Sequence, residues 1–244
     1  MFDIITINNL FANIDSVIDF VEALKATLSP EGLIIIESAY LGDMLKNNMF
    51  DFIYHEHLSC ITIVPLERLF NKYGMKLVDL QPISPKGGSM RYYFAHNDST
   101  RESTKEVIKY RNIEIEGKFN TKVMFDKLNN NIVEARNDLF TYLINNRNKK
   151  IIGYGASATS TTFLYHFGVG SYLDSLVDEN IGKIGTYSPG LHLKVYDPKY
   201  IYSNQADVII IIAWRFADSI IEKLKDFKGE IIIPLPEFKI IKNN

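Results

Sequence analysis

Short apolar runs alternating with segments of helical periodicity constrain the fold of this chain more than any other feature of its sequence. Phe2–Ile7 ends in the polar pair Asn8-Asn9, and Leu33–Ile36 follows Ser29-Pro30-Glu31-Gly32. Runs this short and this apolar suit strands buried in a parallel sheet. Between them, Asp15 or Ser16 can cap a helix carrying Val17, Phe20, Val21, Leu24 and Leu28 at i, i+3, i+4 spacing, which the Ser-Pro-Glu-Gly stretch stops. A second helix is expected over Pro65–Tyr73, with Pro in its first turn and Gly74 at its end. Lys76–Leu80 and Ser89–His96 then read as strands joined through Gln81–Gly88, an antiparallel ending to an otherwise parallel sheet.

From about Thr100 to Asn148 the chain is charged and Asn-rich, with apolar residues at loosely helical intervals, and reads as one or two long helices whose charges form a solvated face. The alternation then resumes. Lys149–Gly153, Leu176–Asp178, Asp207–Ala213 and Glu230–Ile233 are expected strands, and Ser157–Phe167 and Phe216–Phe227 expected helices. The chain is therefore read as α/β. An α/β sheet unit (1–98), which the family resemblance given below makes a partial Rossmann-like sheet, is followed by a helical connector (99–148) and a second, smaller Rossmann-like α/β domain (149–244).

The densest chemistry lies in Tyr54-His55-Glu56-His57. Two imidazoles, a carboxylate and a phenol can take a proton from carbon and hold the resulting charge, and Phe50 and Phe52 supply apolar surface for a partly dry pocket. A metal centre would need three or four ligands, whereas His96, His166 and His192 are scattered without ligand spacing. His-Glu-x-x-His is absent as well. A structural role for the tetrad, with one His at a turn and the other stacked on Tyr54, stays open.

The global balance excludes several classes of function. With 27 basic and 29 acidic residues and a formal charge of -2, the chain has no broad cationic surface for nucleic acid. The single cysteine, Cys60, cannot form an internal disulfide, and no stretch approaches the ~20 apolar residues of a membrane span. The N-terminus lacks the pattern of a signal peptide, so a cytoplasmic protein is expected.

Gly153-Tyr154-Gly155-Ala156-Ser157-Ala158 matches Gly-x-Gly-x-x-Gly/Ala at a strand-to-helix junction, and Asp178 follows at the end of the next strand. Free amides at a helix start would suit a pyrophosphate, and the acid a ribose, which is the arrangement of an NAD-dependent enzyme. A tight strand-helix turn also wants small residues for packing alone, and both readings stand.

Several separated segments together resemble one family, the S-adenosylmethionine-dependent C-methyltransferases of nucleotide-linked deoxysugars. They are Asn9–Asn13, Ile36-Glu37, Phe52–Ser59, Lys86–Arg91, Gly153–Ala156, Asp178 with Lys183–His192, and Ala213–Asp218. The resemblance implies a base that removes the proton next to a ketone on the sugar, so that the enolate can take a methyl group from S-adenosylmethionine. His57 corresponds to the family's base. Tyr54 and Glu56 would place it and help to stabilise the charge, and His55 is a further candidate. Asn9, Leu10 and Phe11 fall on the cofactor side. Lys86, Gly87, Gly88, Ser89 and Arg91, with Gly153, Tyr154, Gly155, His192 and Trp214, fall on the substrate side.

Family members carry a zinc module and three further strand-helix units ahead of the segment at which this chain starts. The resemblance thus implies a shortened member, with no zinc. It also implies that Phe2–Ile7 is an open edge covered by a second copy (a homodimer) or by a complementing N-terminal fragment that completes the cofactor site. Four polar positions depart from the family pattern: Asn13 and Lys86 replace histidines, Thr159 a lysine and Arg215 an asparagine. A protein that binds a sugar nucleotide without catalysis, or serves only in assembly, is the alternative those departures allow.

Overall fold

The computed structural model describes residues 1–242, and contacts divide the chain into two compact units. The first comprises Met1–Asn47 with His55–Leu128; the second comprises Asn48–Tyr54 with the chain from Asn129 onward. No helix among the described residues is long and apolar enough to cross a membrane.

The first unit contains β1 (Phe2–Asn8), α1 (Val17–Thr27), β2 (Leu28–Ala39), α2 (Leu41–Lys46), α3 (Ile63–Lys72), β3 (Met75–Ile83), β4 (Ser89–His96) and α4 (Lys105–Glu116). Its sheet has the order β1-β2-β4-β3, with β1 parallel to β2 and the other pairs antiparallel, as the sequence leads one to expect. One face is closed by Val21 and Leu24 of α1, Ile63, Leu66 and Phe70 of α3 and Val107 of α4, packed on Ile34, Ile36, Leu77, Tyr92 and Phe94. Phe70 and Phe94 stack with centroids 3.8 Å apart.

Two expectations are corrected here. The strands of this sheet are not buried on both faces: along β2, Ile34, Ile36 and Ser38 are buried while Leu33, Ile35 and Glu37 are half-buried. β1, expected as a buried strand, pairs only with β2 among the described residues and leaves Phe2 and Ile4 61% and 64% exposed. The Ser29–Gly32 stretch does not separate helix from strand either. The helix ends at Thr27, Leu28 already pairs with Phe2, and the stretch is absorbed as an irregularity before Ile4 pairs with Leu33. Gly32 is required there, because a Cβ would lie 2.9 Å from the Phe2 carbonyl oxygen.

The helical region resolves into α4 and α5 (Lys122–Asn145). Its charges are not all solvated: Glu114 on α4 is 4% exposed. Its carboxylate accepts from the backbone amides of Ile63 (2.6 Å) and Val64 (3.0 Å) and from the Tyr40 hydroxyl (3.0 Å). This caps α3 two residues before the expected start at Pro65, whose missing N–H costs nothing in a first turn. Burial raises the Glu114 carboxyl above its ordinary value, with the two amides opposing. Arg111, one turn earlier, pairs with Glu67 of α3 through its Nε at 3.0 Å.

The second unit holds β5 (Ile151–Tyr154), α6 (Ala158–Phe167), β6 (Ser175–Val177), β7 (Val195–Tyr196), α7 (Tyr200–Ser203), β8 (Val208–Ile211), α8 (Ala217–Lys223), β9 (Glu230–Ile233) and β10 (Lys239–Lys242). The sheet order is β10-β9-β8-β5-β6-β7, parallel except for β10. β5, β6 and β8 are buried at every position, which is why continuous apolar runs encode them. α6 starts at the Ser157 cap, whose Oγ accepts from the Ser160 amide. α8 is shorter than the expected Phe216–Phe227 and is preceded by a 3-10 turn at Trp214–Phe216. β10, β7, α7 and α2 have no counterpart in the sequence reading.

Replacing Glu114 with Ala leaves two amides and a phenol without their acceptor and should lower the stability of the first unit by about 3 kcal/mol in urea unfolding. Glu114→Gln should recover part of this. A loss well under about 1 kcal/mol for the alanine variant would contradict the capping role.

Candidate functional site

At the C-terminal ends of β1 and β2 the first unit gathers most of its candidate residues. Open α/β sheets take ligands at this end of their strands. Asn9 leaves β1 at a φ of +53°, and its amide donates to the Glu37 carbonyl at 2.8 Å. Leu10 is 50% exposed, but Phe11 lies in the core, 6.1 Å from both Phe20 and Phe70. A 3-10 turn, Phe11–Asn13, follows, and its Ala12 carbonyl accepts from the amides of Leu58 (2.8 Å) and Ser59 (3.1 Å). The two residues after His57 therefore hang from the loop after β1. Asn13 Oδ1 is buried there without a hydrogen-bond partner among the described residues.

His57 is half-buried on this irregular segment, whereas the side chains of His55 and Glu56 are 82% and 57% exposed and lie 3.9 Å apart. Arg91, opposite Glu37 across the β2–β4 ladder, donates its Nε to Glu37 Oε2 at 2.8 Å, so its charge is already matched. Before it comes the turn Pro85–Gly87, with exposed Lys86 at φ +60°, then Gly87 at +87° and Gly88 at +126°. Three successive positive φ angles, one on a lysine, mark a backbone held by its surroundings. Ser89 is buried and donates its Oγ to the Pro85 carbonyl at 3.2 Å.

In the second unit, segment Asn48–Tyr54 is fixed by a buried acid. Asp51, 0% exposed, accepts from Trp214 Nε1 at 3.1 Å and from Arg215 Nη1 at 3.0 and 2.8 Å on its two oxygens. Arg215 Nη2 donates to Thr159 Oγ1 at 2.9 Å, and the guanidinium lies over the rings of Phe52 (4.9 Å) and Trp214 (5.1 Å). Burial pushes the Asp51 carboxyl up from its ordinary value, against the Arg215 charge and its hydrogen bonds. Phe50 stacks on Phe167 with centroids 4.9 Å apart, and Asn48 Nδ2 donates to the Pro236 carbonyl at 3.1 Å. Phe50 and Phe52 are thus packing residues of this unit, and Tyr54, half-buried, meets Phe52 edge-on at 6.3 Å. Trp214 is an anchor for Asp51. Thr159 and Arg215, two positions that depart from the family pattern, bond to each other, so neither is left unpaired.

The glycine turn of this unit is explained by packing. A Cβ on Gly153 would meet the side chains of Ile212, Leu173 and Leu176 at 2.6–2.7 Å, and one on Gly155 would lie 2.7–3.3 Å from Ala213. Asp178 accepts from the Ala156 amide (2.8 Å), the Asn180 amide (2.9 Å) and Lys183 Nζ (3.1 Å). Burial works to raise its carboxyl, but those donors outweigh it and hold the group below its usual value. The amide offered to a pyrophosphate and the acid offered to a ribose therefore occupy one another. The Tyr154 hydroxyl donates to Glu179 at 2.7 Å. A cavity of about 300 Å³ beside the turn is lined by Tyr154, Ser157, Asp178, Lys183 and Arg215, among others. His192, exposed at φ +54°, sits in a loop closed by the Ser188 amide donating to the Leu193 carbonyl at 2.8 Å. Among the described residues no group of three or more His, Cys, Asp or Glu could hold a metal ion.

Asp51→Ala strands a guanidinium and an indole N–H in the interior and should lower the stability of the second unit by about 3–5 kcal/mol. Asp51→Asn should cost less, and Asp51→Ala should add little in an Arg215→Ala background. Additive effects in that double-mutant cycle, read by denaturant unfolding, would show the pair to be energetically uncoupled.

A model of the methyltransferase domain matches residues 1–80, and a model of the C-methyltransferase C-terminal domain matches residues 84–236. C-methyltransferase NovU of Streptomyces niveus is 27% identical over 238 residues, 95% of this chain and 56% of that protein. The chain thus spans little more than half the length of this curated relative. The structure of UDP-D-quinovosamine 4-dehydrogenase from Vibrio fischeri is 20% identical and covers 34% of this chain and 75% of its own, with a TM-score of 0.28, too low to carry an argument. With one domain model matching the first 80 residues and the other spanning well over half of the chain, the protein belongs to the C-methyltransferase family.

Proposed function

We propose that this chain acts in C-methylation of a nucleotide-linked keto-deoxysugar, with His57 as the base that removes the proton from the carbon next to the ketone. The observation that carries this reading is the pair of hydrogen bonds from Leu58 and Ser59 to Ala12. They hold the segment after His57 against the loop at the end of β1, the side of the sheet on which the polar rim of Asn9, Asn13, Glu37 and Arg91 also lies. Half-buried, His57 is screened from bulk water on part of its surface and keeps access to a substrate. Tyr54 and Glu56 offer a phenol and a carboxylate within three residues of it, to orient the imidazole and to hold charge as the enolate forms. His55, the most exposed of the four, is the least suited to a desolvated step.

S-adenosylmethionine, when bound, supplies the electrophilic methyl group. The loop after β1 fits a donor-bearing ligand on one observation, the buried and unmatched Asn13 Oδ1. Asn9, exposed Leu10 and Asn13 would hold the ligand there, while Phe11 supports the loop from the core. A further segment pairing with the open edge of β1, where Phe2 and Ile4 are exposed, would complete that side. On the substrate side, the Lys86–Ser89 turn brings backbone close to the sugar. Within the second unit, the cavity beside Tyr154 and Gly155 offers Ser157, Asp178 and Lys183 to a polar ligand of its own.

His57→Ala should slow exchange of the keto-sugar's acidic C–H with deuterated water by about 10²–10⁴-fold, followed by NMR, while calorimetry shows sugar-nucleotide binding unchanged. Undiminished exchange would exclude His57 as the base. Loss of binding together with exchange would make it structural.

A further inference from the structure

We propose that Asp43 is a ligand-contacting carboxylate, accepting a hydrogen bond from a donor on the sugar ring presented at the Gly87–Gly88 turn. This rests on the sugar-nucleotide reading above and assigns a residue that the tetrad and the glycine turn leave out.

Asp43 lies on α2, directly after the C-terminal end of β2. Its carboxylate occupies the space a side chain at position 88 would fill: an added Cβ there would be 2.4 Å from Asp43 Cβ and 2.5 Å from its Oδ2. Gly88 is buried with φ +126°, so position 88 is closed to any other residue by conformation and by contact. Asn47, four residues on along the same face of the helix, donates its Nδ2 to the Gly87 carbonyl at 3.1 Å. One face of α2 is therefore built against this turn.

What the turn does not supply is a donor to Asp43. Among the described residues no hydrogen bond reaches its carboxylate, and the charge acting on it is Lys46, an exposed residue one turn along the same helix. The other acids at this end of the sheet are matched, Glu37 by Arg91 and Glu114 by two amides and Tyr40. Burial raises the Asp43 carboxyl from its ordinary value. Beneath it on β4, Tyr92 has a buried hydroxyl that also lacks a partner, and Asp43 is one of the groups whose field reaches that hydroxyl. A half-buried carboxylate that takes no donor from the described residues, beside backbone held at three positive φ angles, keeps its acceptor oxygens available to a ligand at this turn. A ring hydroxyl and a ring ammonium share this chemistry.

The test is calorimetry on the full chain with thymidine diphosphate and thymidine-diphosphate glucose as probes. The wild type should bind the sugar-bearing probe more tightly than the nucleotide alone. Asp43→Ala should reduce that increment by about ten- to a hundred-fold in Kd and leave the nucleotide unchanged. Should the alanine variant fail to fold, Asp43→Leu, which keeps the packing against Gly88 and lacks the acceptor, carries the same expectation. Asp43→Asn, which keeps an acceptor oxygen, should retain most of the increment with thymidine-diphosphate glucose, whose ring donors are hydroxyls. An increment undiminished in the folded variants overturns the role of Asp43 alone. A wild type that binds neither probe overturns the sugar-nucleotide reading and this proposal with it.

Discussion

A single buried carboxylate organises the approach to the chemically dense part of this chain. Asp51 has no exposed surface, and it is tolerable in the interior because Trp214 and Arg215 give it three hydrogen bonds and a counter-charge. Arg215 is itself engaged in the process, bonded to Thr159 and lying over the rings of Phe52 and Trp214. With Phe50 stacked on Phe167 and Asn48 bonded to Pro236, the segment Asn48–Tyr54 belongs to the second unit although it interrupts the sequence of the first. The tetrad therefore begins in a strap held at one end by a charged, fully satisfied cluster.

In the first unit the backbone just past the tetrad is held as well. Leu58 and Ser59 share the Ala12 carbonyl, an attachment that depends on the fold of the loop after β1 and not on which side chains the segment carries. Within the first unit, exposure falls from His55, whose side chain is 82% exposed, to the half-buried His57 next to that attachment. Polar groups at the same end of the first sheet divide into those already matched, such as Glu37 with Arg91, and those left open, the buried Asn13 Oδ1 and Tyr92 hydroxyl. In a protein interior the open ones are the informative ones, because unmatched burial is retained where a ligand or a reaction requires it.

Much of the fold was legible in the sequence, for identifiable reasons. β5, β6 and β8 are buried on both faces, so burial itself spells them as apolar runs, and α6 announces its start with Ser157. α2 escaped notice because six residues carry too little periodicity, and β10 because lysines bracket its two isoleucines. The first residues of β2 were hidden by Pro30 and Gly32, which usually end structure and here sit in an irregular stretch of strand. The site was less legible than the fold. Glu114 looked like one charge among many on a polar helix. Its partners, Ile63, Val64 and Tyr40, lie 51, 50 and 74 residues away, and no local pattern reports them. The Gly-x-Gly-x-x-Ala turn had the opposite fault: its spacing suggested a dinucleotide, while close packing against Ala213 and Ile212 accounts for the glycines.

The account stands on Asn48–Tyr54 being part of the second unit in energetic terms as well as in space, and native-state hydrogen exchange tests that most directly. The amides of Phe50, Phe52 and Ile53 are hydrogen-bonded within the strap. As guanidinium is raised, they should lose protection together with β5 and β8, and Arg215→Ala should release them early while the amides of β2 and β4 stay protected. If instead they open in step with β1 and β2 and ignore Arg215, the Asp51 cluster is not what holds the tetrad's approach.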